Sequence, residues 1–318
     1  MDRQARAAAV VGLAALGLLL GAASAGGLAG VRASHWLARN ADPARALGTV
    51  EAECLPPVSP DAAYMVEVGR AAFRTPLLLG GQAARAGIAC ETCHQNGRRN
   101  ADFQFPGLSG APGTADVTTA LFSSHRDDGL DNPKAIPDLA GARARFDLTH
   151  HLAGPALAHF IHGQITEEFN GAEPPPAVLT GLATYVRALD PAACPAVERR
   201  PLRAEDYLKD AARAVEAGTQ ALDRGDADTA VLMLAAARSR LGLIYERYDQ
   251  PGAEGSRAVL TTADEDLAAA QARIRAGGEP AGSRQALAVW LVHLRQSAAT
   301  LARDEAGSLF SARRLAAR

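Results

Sequence analysis

The stretch Ala89-Cys90-Glu91-Thr92-Cys93-His94 places two thiols two residues apart and an imidazole directly after the second. On one short turn, two thiols at that spacing can add across the two vinyl groups of a haem. The histidine set by the same turn can then bind the iron axially. The stretch predicts a single covalently attached haem c, with Cys90 and Cys93 as attachment points and His94 as proximal iron ligand. A thioredoxin-like redox centre would want a βαβ context, and a structural zinc site would need further Cys or His ligands at suitable spacing. Neither context is visible around these residues.

The elements that must position such a turn are helical. Alanine is abundant, β-branched and aromatic runs are few, and no stretch alternates with the period of two that marks a sheet, so the fold class expected is all-α. Upstream, 63–73 reads as an amphipathic helix with Val66, Gly69 and Phe73 on one face. Downstream, 177–189 puts Leu182, Tyr185, Val186 and Leu189 at helical spacing, and Asp190-Pro191 stops it.

A helix carrying Gly-x-x-x-aromatic before the motif, and a closing helix with an aromatic ahead of an apolar-Arg-Ala-Leu end, resemble the first and last helices of class I cytochromes c. In that family the two helices cross, with the glycine allowing close approach. The run Gly69-Arg70-Ala71-Ala72-Phe73, then Pro76-Leu77-Leu78-Leu79, then Ile88-Ala89-Cys90-Glu91-Thr92-Cys93-His94 is similar to one domain of bacterial di-haem cytochrome c peroxidases. Ile136-Pro137-Asp138-Leu139-Ala140-Gly141 resembles their T-P-T-L-R-N segment. The resemblance covers about residues 63 to 190 and implies a cytochrome c-like haem domain. Those enzymes carry two haem motifs and this chain carries one, so relay from a second haem in the same chain is unavailable.

The sixth position on the iron has several candidates. Methionine, the partner in high-potential cytochromes, is poorly placed, because none falls between Met65 and Met233. The related peroxidases use a distal histidine shortly before the T-P-T-L segment in one domain, and His125 sits comparably. Their other domain places its ligand after that segment. There this chain has Thr149, which cannot replace a thioether, followed by His150 and His151. His125, His150, His151 and an open or water-bound iron are the alternatives. His159 and His162, three apart on an expected helix, read as packing or surface residues, as do His35 and His293. Arg98 and Arg99 are near enough to the motif to meet a haem propionate, or are simply solvated. Glu167 and Glu168 are candidates for the acid/base that peroxide cleavage needs.

Beyond Pro201 the pattern changes to four long amphipathic segments without Cys and with one His. Tyr207, Ala211, Val215, Gly218 and Leu222 mark the first. Asp226 reads as the N-cap of a second through Val231, Leu234, Ala235 and Leu241. Leu260, Ala263, Leu267 and Ile274 mark the third, and Leu287, Trp290, Leu291, Leu294, Ala298 and Leu301 the fourth. Loops of these lengths predict an up-and-down four-helix bundle. Gly218 inside its helix weakens it by about 1 kcal/mol relative to alanine, or marks a close helix contact.

The organisation expected is a signal peptide or membrane anchor over 1–35, a haem domain over 50–196 and a helical bundle over 202–305, a possible interaction domain. Arg3 and Arg6 precede an uncharged run over 7–31, with Ala23-Ser24-Ala25 as a small-x-small cleavage signal. The run is also about as long as the ~20 residues that cross a bilayer. Export to the periplasm is expected, as a soluble protein or anchored to the inner membrane. Such a compartment permits a Cys54–Cys194 disulfide around the haem motif. A net charge of −2 and a pI near 6.5 give no basic surplus to favour nucleic acid as a partner. Two functions follow: electron transfer to or from a redox partner protein, or peroxidase-like turnover at an open iron fed by another protein.

Overall fold

A computed structural model describes residues 30–140, 155–193 and 199–317. The chain is predominantly helical, with two small antiparallel strand pairs of two or three residues each. Strands this short are too brief to write an alternation into the sequence, which is why none was legible.

A short helix α1 (Pro43–Gly48) leads into strand β1 (Thr49–Glu51). Helix α2 (Pro60–Phe73) starts with proline at its first position, where the missing N–H leaves nothing unsatisfied, and stops ahead of Pro76. Two short helices follow, α3 (Gly81–Ala86) and α4 (Cys90–Cys93). After the hairpin of β2 (Thr114–Ala115) and β3 (Lys134–Ala135) comes α5 (Ala156–Gly163), which continues into one π-helical turn at Gln164–Glu168. Helix α6 (Pro176–Ala188) again opens on proline.

Helices α2 and α6 cross at two glycines. A Cβ on Gly69 would stand 2.0 Å from the Gly181 carbonyl oxygen, and one on Gly181 would stand 2.9 Å from both Gly69 N and Met65 O. Two backbones therefore meet with no side chain between them. Phe73 and Tyr185 pack beside the crossing, with ring centroids 5.3 Å apart.

Strand β4 (Arg199–Pro201) pairs with β1 in the register Thr49↔Pro201 and launches α7 (Ala204–Asp223). A turn at Gly225, whose φ is +74°, reverses the chain, and the Asp226 carboxylate accepts from the Thr229 N–H at 3.0 Å to cap α8 (Ala227–Tyr245). Helices α9 (Glu254–Arg275) and α10 (Pro280–Asp304) complete the long set. Each packs on the next, and α10 packs back on α7. Gly218 marks a close contact: its Cβ would lie 3.2 Å from that of Met233 on α8.

Two features lay beyond periodicity. One hydrophobic core runs without a break from α2 and α6 into α7 and α8, so the two expected segments share an interior. The chain past 305 returns to the N-terminal side, where α11 (Ala312–Ala316) packs on α1 in a small second core of Val31, Leu47, Leu309 and Leu315. Most of the expected N-terminal segment 7–31 lies outside the described residues. Among those described, no helix is long and apolar enough to cross a membrane.

At the crossing, Gly69→Ala is expected to lower stability by about 3 kcal/mol, because the new methyl meets a carbonyl oxygen that cannot retreat. Denaturant unfolding of the variant against the parent measures this; an unchanged midpoint would contradict the close approach.

Candidate functional site

The Cys90–His94 turn is held by its own backbone and by two asparagines. Gly87, at φ +78°, ends α3 and lets the chain enter α4. The Ala89 N–H donates to the Thr92 hydroxyl at 3.0 Å, and the His94 N–H donates to the Cys90 carbonyl at 2.9 Å. Asn100 clamps the far side: its backbone N–H donates to the Cys93 carbonyl and its side-chain amide to the Thr92 carbonyl, both at 2.9 Å. Asn96 is left-handed at φ +52°, a conformation that asparagine tolerates better than most residues.

From this turn Cys90, Cys93 and His94 reach one apolar cavity of about 320 Å³. That is within the ~300–1,000 Å³ usual for small-molecule and cofactor sites. Leu157, Phe160, Ile161, Gln164 and Ile165 line it at helical spacing from α5 and the π turn, Phe73 from α2, and Leu182 and Val186 from α6. Asp116 and Lys134 are the charged residues among its described lining. The Asp116 carboxylate already accepts from the Thr118 hydroxyl at 2.7 Å and from the Asn132 N–H at 3.0 Å, bonds that hold it below the usual carboxylate range against its partial burial.

The imidazole of His94 is oriented by the backbone. Its Nδ1 lies 3.0 Å from the Pro137 carbonyl oxygen. A carbonyl only accepts, so Nδ1 carries the proton and Nε2 keeps the lone pair. Burial pushes the ring down to about 4 despite that bond, which leaves it neutral and able to ligate at ordinary pH. Burial likewise pushes both thiols up to about 12. Two neutral thiols and one oriented imidazole on an apolar wall can hold a largely apolar group that carries a metal. Among the described residues no three of His, Cys, Asp or Glu gather as a bare metal ion would need.

Other expected residues fall elsewhere. His125 is exposed on a loop, its N–H donating to the Ser123 hydroxyl at 3.0 Å, and it is not among the residues that line the cavity. His150 and His151 lie outside the described residues. His159 is exposed, and a ring nitrogen of His162 meets the Glu173 carboxylate at 2.7 Å. Glu167 is exposed and pairs with Arg126 at 2.6 Å; Glu168 is buried, and burial raises its carboxyl above the usual range. Neither glutamate lines the apolar cavity. Arg98 faces Glu51 at 3.4 Å and, with Arg99, lines a separate polar cleft. Cys54 is buried and disulfide-bonded, Cys90 and Cys93 are free thiols, and Cys194 lies outside the described residues.

Sequence reasoning missed a buried ion network beside the turn. Arg74, at the end of α2, is 7% exposed and donates to Glu53, to both carboxylate oxygens of Asp210 on α7 at 2.8 Å, to the Asn96 side chain at 2.9 Å, and to Glu91 between the two cysteines. Glu53 also accepts from Arg70, and from the Tyr185 hydroxyl at 2.7 Å. The one available signal was Arg70 and Arg74 sharing a helix face four residues apart. No protein-family model, curated protein or solved structure matches the chain.

Glu53 opposes its own burial through Arg74 and Arg70, with help from the Tyr185 hydroxyl, and the net effect lowers its carboxyl from 4.5 to about 2. Its contribution is complete above pH 4.5 and fades as pH falls toward 2, because the unfolded chain takes up the proton first. Thermal midpoints measured across that window should therefore drop more steeply for the parent than for Glu53→Gln, and the variant should be the less stable at neutral pH. Parallel curves would remove Glu53 from the account.

Proposed function

We propose that the chain is an exported monohaem c-type cytochrome that transfers electrons to or from a protein partner, built as a cytochrome c-like haem domain followed by a four-helix bundle. The observation that carries this reading is the convergence of Cys90, Cys93 and His94 on the wall of one apolar cavity, with His94 oriented by the Pro137 carbonyl. The residues fit the group. Cys90 and Cys93 would form the two thioethers, and Nε2 of His94 is the nitrogen left to ligate iron. The haem would supply a one-electron carrier.

The chain supplies the surroundings. Phe160, Ile161 and Ile165 give the cavity apolar walls that exclude water, which tunes a buried redox centre as strongly as its ligands do. Pro137 fixes the imidazole's tautomer, and its neighbour Leu139 ties that segment to the turn by donating its N–H to the Gly97 carbonyl at 3.0 Å. The glycine crossing of α2 and α6 further supports the cytochrome reading. The α7–α10 set, which carries none of the cavity's described lining, is the part of the chain left to meet a redox partner. Periplasmic residence belongs to the same proposal and rests on the basic, then apolar, start of the chain.

After maturation in a host that attaches haem c, the parent should retain haem through denaturing electrophoresis, while Cys90→Ala and Cys93→Ala should lose most of the stain. Full retention in both variants would end the assignment. The reduced spectrum with carbon monoxide separates the two functions. An unshifted Soret band, the outcome expected, means that protein groups hold both axial positions. A shifted band would favour the peroxidase-like reading and make peroxide turnover the relevant assay.

A further inference from the structure

The turn that sends Cys90, Cys93 and His94 to the apolar cavity sends Glu91, Thr92 and Gln95 to a second, polar cleft of about 500 Å³. One wall comes from the segments around β1 and the turn, the other from α7, α8 and the residues just past α8. Eleven lysines and arginines line it against six carboxylates, although the chain as a whole carries a net charge of −2. Local chemistry has concentrated positive charge in one concavity.

Several of these cations are already neutralised. Arg74 is held by its network, Arg199 meets Glu51 at 2.6 Å and Arg200 meets Asp206 at 2.7 Å. Two at the cleft's interior make no direct ion-pair contact among the described residues. Arg240 is 8% exposed and its hydrogen bond goes to the backbone carbonyl of Arg74. Arg247 is 3% exposed; one of its terminal nitrogens donates to the Leu309 carbonyl at 2.8 Å, and its Nε has no hydrogen-bond partner. Neither has a carboxylate among the ion pairs of the described residues. Burial lowers the pKa of Arg240, yet a guanidinium stays charged in proteins. Asp210 and Glu91 act on Arg240, and Glu246 on Arg247, through space without an ion-pair contact, and an oxyanion bonded directly to either guanidinium would offset its burial more fully.

We propose that this cleft binds a small polyoxyanion, a compact molecule carrying several phosphate or carboxylate groups, through Arg240 and Arg247, with Arg99 and Arg213 at its rim. A small ligand is indicated because the two interior guanidiniums lie on the wall of a concavity, out of reach of a flat polyanionic surface. Several oxyanion groups are indicated because Arg240 on α8 and Arg247 just past its end present two separate guanidiniums to the same cleft. Guanidinium forks match both phosphate and carboxylate oxygens, so the chemistry names the class and the probes must name the member.

The test is calorimetric titration of the full-length protein, in neutral detergent at about 0.15 M salt, with tripolyphosphate, with citrate and with inorganic phosphate. Tripolyphosphate or citrate should bind with a Kd at or below about 1 mM and more tightly than phosphate; whichever is tighter identifies the oxyanion source. Arg240→Gln and Arg247→Gln should each weaken that binding at least about tenfold. If a buried substitution prevents folding, Arg99→Gln and Arg213→Gln at the exposed rim decide, with an expected loss of about threefold each. Absence of binding by all three probes, or binding that the rim variants leave unchanged, overturns the proposal. The haem reading is tested by its own stain and spectrum, so it stands or falls separately.

Discussion

The arrangement depends on a buried guanidinium. Arg74 ends α2, and its donors are taken by Glu53 next to β1, Glu91 inside the cysteine turn, Asn96 just after it and Asp210 on α7. A buried charge is tolerable only when such partners surround it, and removing one partner of a buried pair typically costs about 3–5 kcal/mol. The network is therefore directional. It permits the turn, the first strand and the first long C-terminal helix to meet in few other ways.

That constraint explains why the helical set after Pro201 is more than an appendage. Arg240 on α8 donates to the Arg74 carbonyl, so a second helix of the set reports to the same residue. The shared core around α2, α7 and α8 does the rest through apolar burial. One face of the cysteine turn thus meets an apolar cavity, and the other meets a polar cleft walled by that helical set. Glu91 lies between Cys90 and Cys93 and binds Arg74, so a change in the cleft and a change at the turn are coupled through one side chain.

The apolar cavity is assembled from pieces distant in sequence. Phe73, the cysteine turn, the Ile136–Leu139 segment, α5 and α6 each contribute a few residues. Local hydrogen bonds set the turn itself, through Thr92, Asn100 and the glycine at 87. Long-range contacts set what surrounds it, above all the Pro137 carbonyl, which reaches 43 residues back to His94 and selects its tautomer.

What the sequence determined by itself was local. The thiol and imidazole spacing, the apolar periodicity of α2, α6 and the four long helices, the Asp226 cap and the proline stops are properties of short windows. Side chains three and four apart share a helix face whatever the rest of the chain does. Gly69 was legible as a point of close approach only through its resemblance to class I cytochromes c, and its partner Gly181 lies more than a hundred residues away and carried no signal of its own. Glu53, Asp210 and Arg240 carry no local signal for the same reason. Nothing within a few residues distinguishes a charge destined for burial from one left in water, and only the tertiary fold, by enclosing Arg74, decided which carboxylates it must gather.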